Sequence, residues 1–340
     1  MSNVHTLLVN IWLVFLLIFL SLYVVLDGFD LGIGVISLFV REHERREIMV
    51  ASLSSVWDAN ETWLVVLGGA LFGAFPSVYA IILHAVYLPL IVMIFAFTFR
   101  GVAFEFREHS RLPRLWDCAF GAGSLVATLC QGLILGGLIG GLKVANGVFA
   151  GGAFDWLSPF SGLVAFGVVS GYVVLGATYL IIKTEGLQQE HSVRIAWIGG
   201  ALMLAAGAGI SVLTPILHPY VAEKWFGHGL VTGFVVPPAF AILCAGMLAR
   251  ALWKRHEHTP FVWTVGIFLG SLGGLTASLY PYLVPRSVTA VGAAADDMTL
   301  VFMMLGIGLL IPVMIAYNAC QYVVFRGKVT GSHYVPAHRP

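Results

Sequence analysis

Charge is what this sequence has least of. Asp, Glu, Lys and Arg make up only 10% of its 340 residues, against about 25% in an ordinary soluble domain. So little charge cannot clothe a water-facing surface, which excludes a soluble globular fold. The 18 Lys and Arg and the 17 Asp and Glu nearly cancel. No basic face exists, and nucleic acid is thereby excluded as a partner. Cysteine is scarce too. Cys118, Cys130, Cys244 and Cys320 form no CxxC pair and fall in or beside apolar runs, so they read as small packing residues. There is no CxxCH sequence, no Gly-rich phosphate loop and no nucleophile motif. No polar stretch is long enough to be a soluble domain, so residues 1–340 read as a single membrane domain.

What the chain does have is apolar sequence in runs of about twenty residues. Hydrophobic residues make up 59%, with 39 Gly for close helix contact and 13% aromatics for the interfaces. These runs predict an all-α polytopic membrane protein with nine transmembrane helices. They lie near 8–38, 52–75, 78–99, 115–140, 158–182, 194–214, 228–249, 260–281 and 298–325. The first run is too long for a cleavable signal peptide and reads as a membrane helix. Fifteen of the 18 Lys and Arg fall in the loops 41–46, 100–114, 183–194, 250–255 and 326–339; the alternate loops hold only Lys143, Lys224 and Arg286. The positive-inside rule places the first set in the cytoplasm, with the N-terminus periplasmic and the C-terminus cytoplasmic. The Gly-rich outer loop from Gly141 to Leu157 reads as a short re-entrant or interfacial segment, and the polar tail from Thr330 to Pro340 as frayed. Gly68-Gly69-Ala70-Leu71-Phe72 faintly echoes Gly151-Gly152-Ala153-Phe154-Asp155, which raises an internal duplication.

Against that apolar background, acids at membrane depth stand out, because each costs roughly 2.5–3.5 kcal/mol at a helix centre. Asp27 and Asp30 lie inside the first run, as Leu26-Asp27-Gly28-Phe29-Asp30-Leu31-Gly32. Asp58 and Glu61 open the second, as Trp57-Asp58-Ala59-Asn60-Glu61-Thr62-Trp63. Each pair is spaced i, i+3 and shares a helix face. Both pairs flank the basic loop 41–46, so the four carboxyls are expected to converge near the cytoplasmic side. There they either lock two helices together or pass protons. A Mg or Ca site is disfavoured, since no ligand loop accompanies them. Of eleven histidines only His84 lies clearly within a span, and haem between helices often takes two axial ligands. Arg100, at the end of the third span, reads as an interface anchor, and Lys183-Thr184-Glu185-Gly186 as a helix stop.

These motifs resemble subunit II of cytochrome bd-type quinol oxidases. The likeness rests on Asp27 to Gly32, on Trp57 to Leu64 (where the family commonly has Gly at the position of Ala59) and on Gly68 to Phe72. Phe99 to Arg107, Phe149 to Leu157 and Lys183 to Gly186 resemble the cyanide-insensitive branch. The resemblance implies a multi-pass protein of the bacterial inner membrane, with two four-helix bundles plus one peripheral helix. It implies a complex that oxidises quinol and reduces dioxygen to water. The haems, b-type and d-type, would be ligated by a partner, subunit I, and none by this chain. A small single-span subunit, lipids and, in some members, a structural quinone accompany the family. The family's proposed proton feed includes the positions of Asp27 and Asp58; beside them, Glu61 and Asp30 are expected to support hydrogen bonds or help the relay. Trp63, with Trp57 beside it, matches the region of an oxygen route or subunit interface near the haem; Arg100 and Asn60 would be structural polar residues. The rival from another class is a proton-coupled secondary transporter, which needs mid-membrane sites on interrupted helices; Pro237-Pro238 is the strongest break available. A haem carrier in its own right is a further rival.

Overall fold

The computed structural model describes residues 3–107, 110–226 and 232–329. The chain is helical, in the order α1 (Asn3–Ser37), α2 (His43–Ala51), α3 (Trp57–Ala74), α4 (Pro76–Ala85), α5 (Tyr87–Phe106) and α6 (Pro113–Gly140). A hairpin of β1 (Val144–Ala145) and β2 (Val148–Phe149) follows. Then come α7 (Pro159–Lys183), α8 (Gly186–Leu217), α9 (Pro219–Phe226), α10 (Thr232–Trp253) and α11 (Thr259–Leu279). A second small hairpin, β3 (Tyr282–Val284) and β4 (Val288–Thr289), leads through α12 (Ala290–Ala293) to α13 (Asp297–Val324).

Local chemistry explains the boundaries. Proline opens α4, α6 and α7, where its missing N–H costs nothing. Ser158 and Ser161 form a reciprocal capping box on α7. Asn146-Gly147 turns the first hairpin with φ of 51° and 77°, the two positive values a two-residue turn of this kind requires. The outer loop is therefore a hairpin followed by bends. The echo between Gly68–Phe72 and Gly151–Asp155 does not reflect a duplication, since the first lies in α3 and the second outside any helix.

Two predicted spans are corrected. The span near 78–99 is two helices, α4 and α5, which meet at Val86. Pro89 is the cause. It cannot donate to the carbonyl of Ala85, and its ring crowds that carbonyl. The span near 52–75 begins at Trp57. Residues 52–56 form tight turns, and the Ser52 and Ser54 hydroxyls take the carbonyls of Met49 and Ala51 that helix would need. The short polar α2 was not expected at all, because it carries no long apolar run. Residues 228–231, at the start of the seventh predicted span, and the tail 330–340 lie outside the described residues.

Among the described residues, eight helices are long and apolar enough to cross a membrane: α1, α5, α6, α7, α8, α10, α11 and α13. The remaining predicted span, near 52–75, is α3, with 18 residues, about 27 Å. It is less apolar because Asp58, Asn60 and Glu61 occupy its first turns. α1 is central and packs on α3, α6 and α7; α5 packs on α6, α7 on α8 and α10 on α11. The described parts of the five loops rich in Lys and Arg gather at one end, where Lys328 meets Glu185 and Glu257. Arg46 and Arg107 both reach Asp117 there, and Arg45 bonds Gln188. At the other end Ala295 bonds the carbonyl of Ala74, and Tyr220 that of Ile139.

The crossing of α1 and α7 depends on glycine. A Cβ on Gly32 would lie 1.8 Å from the carbonyl oxygen of Tyr172, and one on Gly176 would lie 2.6 Å from the amide of Ile33. Neither neighbour can rotate away, because both are backbone. Gly32→Ala is expected to cost about 1–3 kcal/mol or more, read as a lower thermal midpoint. Gly162→Ala, on the same α7 but with open space around it, should leave the midpoint unchanged or raised.

Candidate functional site

From Asp27 to Ser37 every residue of α1 is buried, the two acids Asp27 and Asp30 among them. Asp27 and Asp30 are both 0% exposed. Buried charge persists only where it is paired and hydrogen-bonded. The partner is Arg100 of α5, itself 1% exposed. Its Nη1 lies 3.1 Å from Asp27 Oδ1 and 3.7 Å from Glu61 Oε2, and its Nη2 lies 3.9 Å from Asp30 Oδ2. Asn60 of α3 donates to Asp30 Oδ2 at 2.9 Å and accepts from the Tyr322 hydroxyl of α13 at 2.8 Å. One guanidinium thus serves three carboxyls drawn from two helices.

Polar groups continue outward from this cluster. The Tyr23 hydroxyl adjoins Asp27 and accepts from Gln131 Nε2 at 2.7 Å, while Tyr172 donates to Gln131 Oε1 at 2.8 Å. Asp27 Oδ2, Asp30 Oδ1, Arg100 Nε and Nη2, and the Tyr179 hydroxyl have no protein hydrogen-bond partner. Buried polar atoms of this kind are where ordered water binds.

The expected convergence of four carboxyls is corrected to three. Asp58 is exposed on the surface of this chain and does not reach Arg100. A step of three residues turns a side chain by about 60° around a helix. Glu61 lies on the flank facing α5, and that step carries Asp58 onto the open face. Glu61 is the member that leads outward, with 27% of its side chain exposed. Trp57 is half-buried and stacks on Phe104, 5.2 Å between ring centroids. Trp63 is buried, stacks on Phe19 and donates to Asn318 Oδ1 at 2.7 Å.

Arg100 was expected at the interface as an anchor. It lies instead at the centre of the cluster, because the buried Asp27 and Asp30 require a counter-ion. Asn318, Tyr322, Gln131, Tyr23 and Tyr172 had no local signal, being ordinary polar residues until the helices pack. A second ion cluster was also missed. At the basic end Asp117 accepts from Arg46 at 3.0 Å and Arg107 at 2.5 Å, with His43 3.9 Å away.

Other candidates fare differently. His84 is exposed on α4 with its ring 5.5 Å from that of Phe149, edge to face. Among the described residues, no three His, Cys, Asp or Glu are arranged to hold a metal ion. Pro237 and Pro238 do not interrupt α10, which runs on through them with Pro237 packed against Gly270, Gly273 and Gly274 of α11. An apolar cavity of about 130 Å³ lies between α3 and α13, lined by Val66, Gly69, Ala70, Ile307, Ile311 and Met314 among others, one turn beyond Trp63.

Comparison with known proteins bears on the whole chain. The family model for cytochrome bd terminal oxidase subunit II matches residues 8–325. Cytochrome bd-I ubiquinol oxidase subunit 2 of Escherichia coli K12 is 29% identical over 373 aligned positions, covering 94% of each chain. Cytochrome bd ubiquinol oxidase subunit 2 of Bacillus subtilis 168 is 28% identical over 352, covering 99% of each. A chain in the solved structure of bd oxidase from Geobacillus thermodenitrificans superposes with a TM-score of 0.74 at 18% identity, over 91% of this chain and 97% of that one.

Proposed function

Since the chain belongs to the cytochrome bd terminal oxidase subunit II family, a group of multi-pass proteins of the bacterial inner membrane, we propose what it does within that complex. It is the subunit that ligates no haem, and it packs against a haem-bearing subunit I to form a quinol oxidase that reduces dioxygen to water. It spans the membrane nine times, with α3 as the least apolar span and the Lys- and Arg-rich end in the cytoplasm. Its own chemical task is proton supply. Reduction of one dioxygen consumes four protons, and drawing them from the cytoplasm separates charge across the membrane without a pump.

The observation that carries this reading is the set of three carboxyls on Arg100, with Glu61 opening to the face that presents Asp58. Asp27 and Asp30 store charge against Arg100, Glu61 links the store to the surface, and Asp58 hands the proton across to the partner. The open face of α3, α5 and α13 supports docking of subunit I. It carries Val65, Phe72, Phe95, Phe99, Phe302 and Leu309, all exposed in the isolated chain. The apolar cleft beyond Trp63, open on one side, supports an oxygen route at that position, because its lining offers a small apolar molecule no polar competitor.

Co-purification tests the assignment. A tagged chain is expected to bring down a haem-bearing polypeptide, with b- and d-type bands in the visible spectrum of the complex and none in this chain once separated. Haem bands that stay with the separated chain would overturn the assignment in favour of a haem carrier. Recovery of the chain with no haem-bearing companion would favour a transporter.

A further inference from the structure

α13 owes its placement to a few polar contacts. Along its 28 residues only Leu300 and Asn318 are buried within this chain. At the outer end Asp297 meets His5, and the carbonyl of Leu300 accepts from Trp12 at 3.2 Å. Near the inner end Asn318 accepts from Trp63, Gln321 donates to the carbonyl of Ser55 at 3.3 Å, and Tyr322 donates to Asn60. Past its last turn, the helix is closed off by a lysine from another element. Lys183, the final residue of α7, is only 8% exposed. Its Nζ donates to the carbonyl of Phe325, the residue that ends α13, and to that of Gly327 at 3.3 Å. The backbone carbonyl of Lys183 in turn accepts from the amide of Val329 at 2.8 Å.

A cation at a helix C-terminus satisfies orphan carbonyls and opposes the helix dipole. Here that cation is supplied by a helix that also carries Tyr172 and Tyr179. Outside it lies an exposed ring of charge. Lys328 lies 2.9 Å from Glu257 and 3.4 Å from Glu185, Gln189 also bonds Glu257, and His258 is nearby. Bonds from Lys328 and Gln189 hold Glu257 below the usual carboxylate range.

We propose that Lys183 is a positioning residue for the buried acid cluster. By clamping the inner end of α13 it fixes the height and rotation at which Tyr322 meets Asn60, and so the orientation of Asn60 towards Asp30. Tyr322 is one turn from Phe325, so a shift of the clamped end moves its hydroxyl directly. An Asn60 released by Tyr322 is free to turn its amide away from Asp30. The role rests on the proton-supply reading above.

The test uses the whole complex and four variants, with a fifth in reserve. In Lys183→Met, amide exchange over residues 318–325 is expected to be about three- to tenfold faster, with haem spectra unchanged. The pH profile of oxygen consumption should shift in the same variant. Lys183→Arg keeps the cation and should restore both. Lys328→Met, which removes the outer ring but not the clamp, should move neither. Unchanged exchange over 318–325 in Lys183→Met overturns the proposal. Faster exchange with an unmoved pH profile also overturns it, provided that Glu61→Gln does alter oxygen consumption. If Glu61→Gln is inert as well, it is the proton-supply reading that has failed. Should Lys183→Met not assemble, Lys183→Gln keeps a neutral donor, and the same two readouts decide.

Discussion

Arg100→Met is expected to leave little assembled protein. The guanidinium is the cation touching Asp27, Asp30 and Glu61, and it is buried with them. Breaking one buried ion pair by removing a partner costs about 3–5 kcal/mol, out of a total stability of about 5–15. Here one removal strands three acids, two of them fully buried. The loss should appear as a sharply reduced yield of haem-bearing complex and a lower thermal midpoint. Two companions sharpen the test. Arg100→Lys keeps the charge but loses the fork that spans Asp27 and Asp30, and should fall between. Adding Asp27→Asn to Arg100→Met removes one stranded charge and should recover part of the yield. Full yield of Arg100→Met alone would mean that these carboxyls need no counter-ion, and the site as described would be wrong.

The second large effect is on turnover and leaves stability alone. Asp58 is exposed on this chain and holds no neighbouring helix, so Asp58→Asn should change stability by no more than about 0.5 kcal/mol. Its loss should still cut oxygen consumption, on the order of 10²-fold if it is the group that hands protons across. Glu61→Gln should behave alike for a different reason. It removes one of three carboxyls competing for Arg100, so stability should hold or rise while turnover falls. Opposite signs on stability and activity separate a proton-carrying role from a structural one. A variant that loses its haems along with its activity would indicate that the residue merely holds the assembly together.

How much of this was legible in the sequence follows from the range of each interaction. The acid pairs at 27, 30, 58 and 61 were visible because charge at membrane depth is costly and so stands out. The spans were visible because burial in lipid demands long apolar runs. The break between α4 and α5 was also written in the chain, in Pro89, but the apolar run through it concealed the signal. The outward turn of Asp58 was not visible. Spacing says that Asp58 and Glu61 are neighbours on α3, but only packing decides which flank meets α5. Arg100 could have been found by asking what neutralises two acids inside an apolar run. The contributions of Asn318 and Tyr322 could not, since they come from more than 250 residues away and depend on where α13 lands.

The central claim is that this chain carries protons into the reaction of its complex by way of Asp58. Its most direct test is charge separation by Asp58→Asn complex in sealed vesicles, measured together with oxygen consumption and the haem spectrum. The account predicts a normal haem spectrum with quinol-driven oxygen consumption and membrane energisation both largely lost. Normal turnover and normal energisation in that variant would contradict it.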